Sequence, residues 1–427
     1  ARPMPADPTA APTPSDFELV CTGAELLNGR SVNTHARWLG GRMEDLGFRL
    51  RRETTVGDET RDIADAVRSA MARVPIVFVS GGLGPTCDDL TREAVAGLLG
   101  RGLALDEESL ERMRRRYAAV GRELTESRRR QALIVEGAAA LANSAGAAPG
   151  ERIETDGRIL FLLPGPPKEF HAIVEEHVIP WLRERFPAVR PPARAVFQLC
   201  GVPESDAVER LAAAGFSPGP LALAYCASPG NLEVRLTGRP EDVDLVAAKA
   251  DAVRRVFRED IYSEGREDLA AVVVRALAEA GETVAVAESC TGGGLGRRLT
   301  SVPGSSAVFR GGIVAYANDL KERLLGVPAD VLAREGAVSA ATAERMAAGV
   351  RERLGASWGV AVTGVAGPGG GTPEKPAGLV FIAVAGAAGA AARRFQFIGD
   401  REQIRVWTEQ YALDALRRRQ AADGGAA

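Results

Sequence analysis

The chain has 427 residues, long enough for two or three domains with separate cores, and its 46% apolar and 26% charged content is ordinary for a soluble globular protein. A net charge of −3 gives no support for a polyanion-binding surface, so direct nucleic-acid binding is not expected. No apolar run approaches the roughly 20 residues that span a bilayer. The start lacks a basic-then-apolar pattern, and the five scattered cysteines form no Cys-x-x-Cys pair. A cytoplasmic protein with reduced thiols and no membrane contact is expected.

Residues 1–16 are rich in Pro, Ala and Thr and are expected to be a disordered tail; Ala421–Ala427 is expected to fray. From Phe17 onward, strand-like runs alternate with amphipathic helical runs. Strands are expected at Phe17–Cys21, Pro75–Ser80 and Arg158–Leu163, with helices at Val32–Leu46, from about Leu90, and at Lys168–Arg185. A Pro-rich break follows at Phe186–Ala193. Residues 194–264 read as a smaller α+β unit with strands at Ala195–Leu199, Ala222–Cys226 and Leu232–Thr237 and a helix at Pro240–Phe257. The last unit has helices at Leu269–Ala280, Ala340–Leu354 and Arg401–Arg419. Its strands are expected at Thr283–Ala287, Gly311–Tyr316, Trp358–Thr363, Leu379–Ala385 and Ala391–Phe397. The fold class is α/β: two three-layer α/β domains, 17–186 and 265–420, joined by a small α+β domain, 187–264.

Three polar, glycine-rich turns follow strands of the first unit: Thr22–Gly29, Ser80–Asp89 and Leu163–Glu169. In a parallel sheet they converge on one edge, where ligands bind. Gly81, Gly82 and Gly84 let backbone amides approach a phosphate, Thr86 adds a hydroxyl, and Asp88 and Asp89 add hard oxygen ligands for a divalent ion. The plain alternative is a tight loop with an N-capping aspartate. His35 and His171 read as helix-surface or packing residues, since nothing near either has metal-ligand spacing.

In the last unit, Ala287-Glu288-Ser289-Cys290-Thr291-Gly292-Gly293 places a serine at a strand-to-helix turn. There it is either an N-cap or a nucleophile beside backbone amide donors. The three histidines (His35, His171, His177) all lie more than a hundred residues upstream. A histidine-based triad is therefore not expected, and Lys or Tyr must serve. Tyr316 and Lys321 sit five residues apart just past a strand. Thr363, Gly364 and Gly367 belong to a second strand-to-glycine turn, suited to holding a carboxamide or phosphate. Lys375 lies on a mobile loop, where it either reaches a phosphate or is simply solvated. Cys290 is kept secondary, since no histidine is near to generate a thiolate.

The three turns of the first unit resemble the molybdopterin-binding fold of the MoaB/MogA type, in the version that opens CinA-family proteins. The turn at Ala287–Gly293 resembles the nicotinamide-nucleotide amidase domain that closes them. The resemblance covers residue 17 to about 419, in the family's order. It implies a metal-dependent (Mg, Mn or Co) pyrophosphatase acting on ADP-ribose-like substrates in the first unit. Gly81, Gly82, Gly84, Thr86 and Asp88 carry over as the nucleotide site, Asp88 and Asp89 as the metal site, and Glu25, Asn33 and Lys168 as weaker candidates. For the last unit it implies deamidation of nicotinamide mononucleotide without a metal or other cofactor. Ser289 is then nucleophile, Lys321 base and Tyr316 relay, with Thr363, Gly292, Gly293, Gly364 and Gly367 around the substrate. A phosphate-binding arginine is implied at the start of the last helix. Spacing does not choose between Arg401 and Arg405, and Arg405 is preferred. A homodimer or higher homo-oligomer is implied as well. The competing readings are an amidase whose first domain only binds a pterin or nucleotide, and a non-catalytic partner in DNA uptake or repair.

Overall fold

The computed structural model describes residues 13–119 and 121–424, so most of the expected tail lies outside the described residues. The expected boundary at residue 16 is corrected. Asp16 opens the first strand, Asp16–Thr22, and is fully buried. It is fixed there by the guanidinium of Arg49 (2.9 Å) and by Arg51 (3.2 Å), with the Thr13 amide also donating to it. At the other end, the last helix runs from Arg401 to Gly424, so the expected fraying does not begin at Ala421. The chain divides into two compact units, one ending at Pro192 and one beginning at Ala193.

In the first unit the six strands of the main sheet run, edge to edge, Arg49–Val56, Asp16–Thr22, Ile76–Ser80, Arg158–Leu163, Gly150–Thr155 and Ala139–Leu141. The first four are parallel, and the last two are added antiparallel. The sequence reading missed these two and the edge strand Arg49–Val56, because all three are short or only partly buried. Alternate residues of the central strands face two cores. Phe17, Leu19, Phe78 and Phe161 pack under the helices His35–Glu44 and Pro167–Ile173, while Val20, Val77, Val79 and Leu160 pack under Thr60–Arg73 and Thr91–Leu99. Cys21 pairs in register with Ser80, and Ser80 with Leu163. The three polar turns therefore leave adjacent strand ends on one edge of the sheet.

The second unit holds two sheets. One has four antiparallel strands in the order Ala222–Ser228, Asn231–Gly238, Ala193–Cys200 and Ile261–Glu264. The Ile261–Glu264 strand and the helix Glu204–Ala213 were not expected from sequence. The other sheet runs Phe309–Val314, Val284–Glu288, Trp358–Gly364, Leu379–Gly386 and Gly389–Gln396, with the first three strands parallel. The small sheet is fastened to the last helix by Arg418, which reaches Asp260 (3.0 Å) and Asp414 (2.6 Å), and a Cβ added at Gly230 would lie 2.7 Å from the Gln410 side chain.

The five-stranded sheet has two chemically different faces. Val284, Val286, Val360, Val362, Val380 and Ile382 pack against the helices Leu269–Ala280 and Arg401–Gly424. Ala285, Ala287, Ala361, Ala383 and Ala385 face the helix Ala340–Leu354. Alternation of period two puts all the bulk on one side, and the small side lets that helix approach closely. A Cβ added at Gly359 would lie 2.1 Å from the Ala347 carbonyl oxygen, and one at Gly349 only 1.8 Å from that of Leu325. Since no side chain there can yield, Gly349→Ala and Gly359→Ala are each expected to destabilise the second unit by about 1–3 kcal/mol. The check is the midpoint of urea unfolding, and an unchanged midpoint would count against this packing.

Candidate active sites

The edge of the first sheet opens into a cavity of about 570 Å³. Its walls are the three polar turns, with Gly81, Gly82, Gly84, Thr86, Asp88, Asp89 and Glu25 all among the lining residues. Gly81 and Gly82 adopt left-handed φ values of 106° and 66°, and a Cβ on Gly82 would collide with Thr91 Oγ1 at 2.2 Å. Only glycine fits there. The amides of Gly82, Leu83 and Gly84 make no backbone hydrogen bond among the described residues. Asp89 folds back to accept from the Thr86 amide (2.8 Å) and hydroxyl, whereas Asp88 stands exposed at the rim. Lys168 does not join the site. It lies exposed on the first turn of the following helix, outside the lining.

Two features of this cavity escaped sequence reading. His35 is buried and packs as expected, but it also lines the cavity, which the sequence did not show. Its Nδ1 meets the Ser80 hydroxyl at 2.9 Å, and its ring lies on Phe170 at 4.2 Å. Burial, reinforced by His171, pushes its pKa down to about 4, so it is neutral at physiological pH. Below the cavity, Arg92 and Glu151 form a fully buried ion pair (2.8 Å). Arg92 also donates to the Leu83 carbonyl (3.0 Å), and Glu151 accepts from the Val135 amide (2.9 Å). The pair thereby ties the glycine loop to the sheet. His35 and Ser80 lie 45 positions apart and Arg92 and Glu151 lie 59 apart, beyond any local pattern.

The donor set around this cavity is hard oxygen, which suits a magnesium- or manganese-type ion. No three His, Cys, Asp or Glu side chains converge among the described residues to complete a cage. An ion there would share its coordination with a ligand's phosphate.

In the second unit, Ser289 leaves the end of Val284–Glu288, the middle of the three parallel strands, and its amide donates to the Val362 carbonyl (3.1 Å). The Ala315 amide donates to the Glu288 carbonyl (2.9 Å). Three parallel strand ends thus bring together Ser289-Cys290, Ala315-Tyr316 and Thr363-Gly364. The turn after Ser289 is organised by Glu288, a buried residue not singled out from sequence. Its carboxylate accepts from the Thr291 hydroxyl (2.7 Å) and from the amides of Gly293 (2.9 Å), Leu295 (3.0 Å) and Gly296 (2.8 Å). Gly292 and Gly293 take left-handed φ values of 61° and 101° to make this possible. The amides of Cys290 and Thr291 face the Cys290 thiol and have no oxygen acceptor among the described residues.

Lys321 is buried to 1% exposure, and Nζ donates to the Ala315 (2.8 Å) and Tyr316 (3.2 Å) carbonyls. Burial lowers its pKa from the ordinary lysine value, while the nearby Cys290 acts in the opposite sense. The Cys290 thiol is itself pushed up to about 12 by burial. The Tyr316 side chain is 60% exposed, and its hydroxyl accepts from Arg401 (3.2 Å). Lysine meets the Tyr316 backbone rather than its ring, so the geometry gives Tyr316 a rim position in place of the expected relay. The Thr363 hydroxyl donates to the Ala337 carbonyl (2.7 Å), which commits its proton to fastening that loop.

The two candidate arginines occupy different places. Arg401 spans Tyr316 and the Gly367 carbonyl (2.9 Å) across the mouth of the site. Arg405 donates to the Thr291 carbonyl (2.8 Å) and pairs with Glu402. It braces the serine turn, so its geometry does not favour the expected phosphate role. Gly364 admits no side chain, since a Cβ would meet the Leu379 carbonyl oxygen at 2.7 Å. Gly294 is equally constrained by the buried Glu409 carboxylate of the last helix, 1.9 Å from a Cβ built there. Lys375 is not available to a ligand, because Nζ donates to the Glu335 carbonyl (2.6 Å).

Comparison with known proteins covers both units. Residues 18–184 match the family described as "Probable molybdopterin binding domain", and residues 266–420 match the CinA C-terminal domain. A CinA-like protein of Gemmatimonas aurantiaca is 42% identical over 418 residues, covering 96% of this chain and 97% of that relative. A putative competence-damage inducible protein of Desulforamulus reducens is 41% identical over 400 residues, covering 93% of this chain and 97% of its own length. Among solved structures, a competence/damage inducible protein of Agrobacterium tumefaciens is 43% identical, over 35% of this chain and 92% of its own, with a TM-score of 0.35. With these relatives matching nearly end to end, and with a molybdopterin-binding-type domain followed by a CinA C-terminal domain, the chain belongs to the CinA family.

Proposed function

We propose that this protein is a hydrolase of pyridine nucleotides with two chemistries. The second unit deamidates nicotinamide mononucleotide to nicotinate mononucleotide and ammonia. The first is a divalent-metal-dependent pyrophosphatase acting on ADP-ribose. The observation that carries the amidase reading is the buried Lys321. It is held by two carbonyls with no carboxylate partner, beside the turn that presents Ser289. Desolvation favours its neutral form, which is the form able to take a serine proton.

Ser289 Oγ attacks the carboxamide carbon and Lys321 Nζ accepts the hydroxyl proton. The amides of Cys290 and Thr291 turn to the oxyanion. Collapse breaks the C–N bond, and the lysine returns its proton to the departing ammonia. Water then hydrolyses the acyl ester on Ser289. The high thiol pKa of Cys290 favours serine over cysteine as nucleophile. Arg401, at the mouth, supplies a guanidinium for the substrate's phosphate, and Tyr316 frames the ring beside it. In the first unit the free amides of Gly82–Gly84 suit a pyrophosphate, and Asp88 with Asp89 would hold magnesium, manganese or cobalt. Such an ion neutralises phosphate charge when bound.

Five outcomes are expected. Ammonia release from nicotinamide mononucleotide should fall below about 1% of wild type in Ser289→Ala and in Lys321→Met. In the wild type, kcat/KM should rise with pH along a limb lying below the ordinary lysine value of 10.5, because the base works only when neutral. Near wild-type turnover in Ser289→Ala would sink the mechanism. Arg401→Ala should raise KM for the mononucleotide about 10- to 100-fold while barely affecting the phosphate-free riboside. Arg405→Ala should lower kcat instead, through the loosened Thr291 turn. Finally, a chelator should abolish release of AMP from ADP-ribose and leave ammonia release intact; equal loss of both would refute the division of labour.

A further inference from the structure

The cavity of the first unit has an unusual charge balance for a nucleotide site. Its lining includes five carboxylates, Glu25, Asp58, Asp88, Asp89 and Glu169, and no lysine or arginine. The donors that engage three of them are neutral: the Ala24 amide on Asp58 (2.9 Å), the Thr86 amide on Asp89 (2.8 Å), and the Asn143 amide on Glu169 (2.6 Å). They hold the carboxylates in place without cancelling their charge. The one histidine of the lining, His35, is neutral and spends Nδ1 on Ser80. Arg92, the nearby buried cation, is matched by Glu151. A divalent ion held by Asp88 and Asp89 would offset a pyrophosphate and little more. Glu25, Asp58 and Glu169 remain facing the rest of the ligand.

A nucleotide with no positive charge gains nothing from those three groups, and an anionic one is repelled. A pyridinium ring carries a fixed positive charge that they attract. Resting on the pyrophosphatase reading above, we propose that the first unit selects a pyridinium dinucleotide in preference to ADP-ribose. Its cleavage would supply the pyridinium mononucleotide that the second unit deamidates. The step is a hydrolysis. Water oxygen bonds to one phosphorus, the bridging P–O bond breaks, and the bridging oxygen leaves on the other phosphate. The two water protons pass to the two new phosphate groups, which shed them as they ionise, and the products are AMP and nicotinamide mononucleotide. No electron is transferred.

The test isolates ring charge from shape. Full-length protein carrying Ser289→Ala is given oxidised nicotinamide adenine dinucleotide, its reduced form, or ADP-ribose, each with magnesium and with manganese, and AMP is measured. The reduced ring is nearly isosteric with the oxidised one and uncharged. The oxidised dinucleotide is expected to be cleaved with a kcat/KM about tenfold or more above either alternative, and this ratio should shrink as salt is raised. Glu25→Gln with Asp58→Asn should bring the ratio towards one, and the salt series tests the same charge effect without a substitution. Equal or faster cleavage of the reduced form or of ADP-ribose overturns the proposal while leaving the pyrophosphatase reading intact. No AMP from any of the three, with either metal, removes that reading and this proposal together.

Discussion

The active geometry of the second unit depends on one buried carboxylate. Glu288 ends the strand Val284–Glu288, and its two oxygens gather a hydroxyl and three amides from the turn that follows. The helix start that opens at Gly294 would otherwise leave those amides unsatisfied in a buried place. By taking them, Glu288 forces the chain back on itself between Thr291 and Gly296. The amides of Cys290 and Thr291, nearest to Ser289, are left over. Charge-assisted bonds of this kind are about twice as strong as neutral ones, so the turn is rigid before any substrate arrives. Arg405 adds a brace from the last helix, on the Thr291 carbonyl.

Rigidity there relies on close packing elsewhere. The alternation of valine and alanine along three strands lets a helix sit tightly over the small face, while the bulky face holds the helix that carries Arg401 and Arg405. Register then does the remaining work. Glu288 pairs with Val314 and Val362, so the residues just beyond each strand are neighbours. Lys321 enters this corner from the first turn of the helix Asn318–Leu325 and satisfies two carbonyls that the strand end leaves exposed. A cation buried without a counter-charge is costly. That cost favours its neutral form.

The first unit solves a related problem by different means. Its cavity is shaped by glycines whose backbones come close to one another, and held by contacts from below and behind. Arg92 and Glu151 anchor the loop from beneath, and His35 links the Ser80 turn to the aromatic cluster around Phe170. None of these groups adds net positive charge to the cavity. A phosphate placed there would meet backbone amides, whereas the second unit sets an arginine beside its serine turn.

The sequence alone determined the α/β class, the order of the units and the turns that close the strands. Each of these is written locally, in short apolar runs ending in hydroxyl- and glycine-rich turns. Ser289, Lys321 and the Gly81–Asp89 loop were legible for that reason, and the missing histidines pointed to lysine. What each side chain does at those places was decided by tertiary structure. Tyr316 was moved to the rim, Thr363 was turned to a backbone carbonyl, Lys375 was tied down, and Lys168 was left outside. Arg401 and Arg405 lie one helical turn apart and look alike in sequence; only the strand ends beneath them give one the mouth and the other the turn. Glu288 and His35 were missed because a carboxylate or imidazole acquires its role from the donors around it. For His35 that donor lies forty-five positions away, and only the folded sheet sets it alongside.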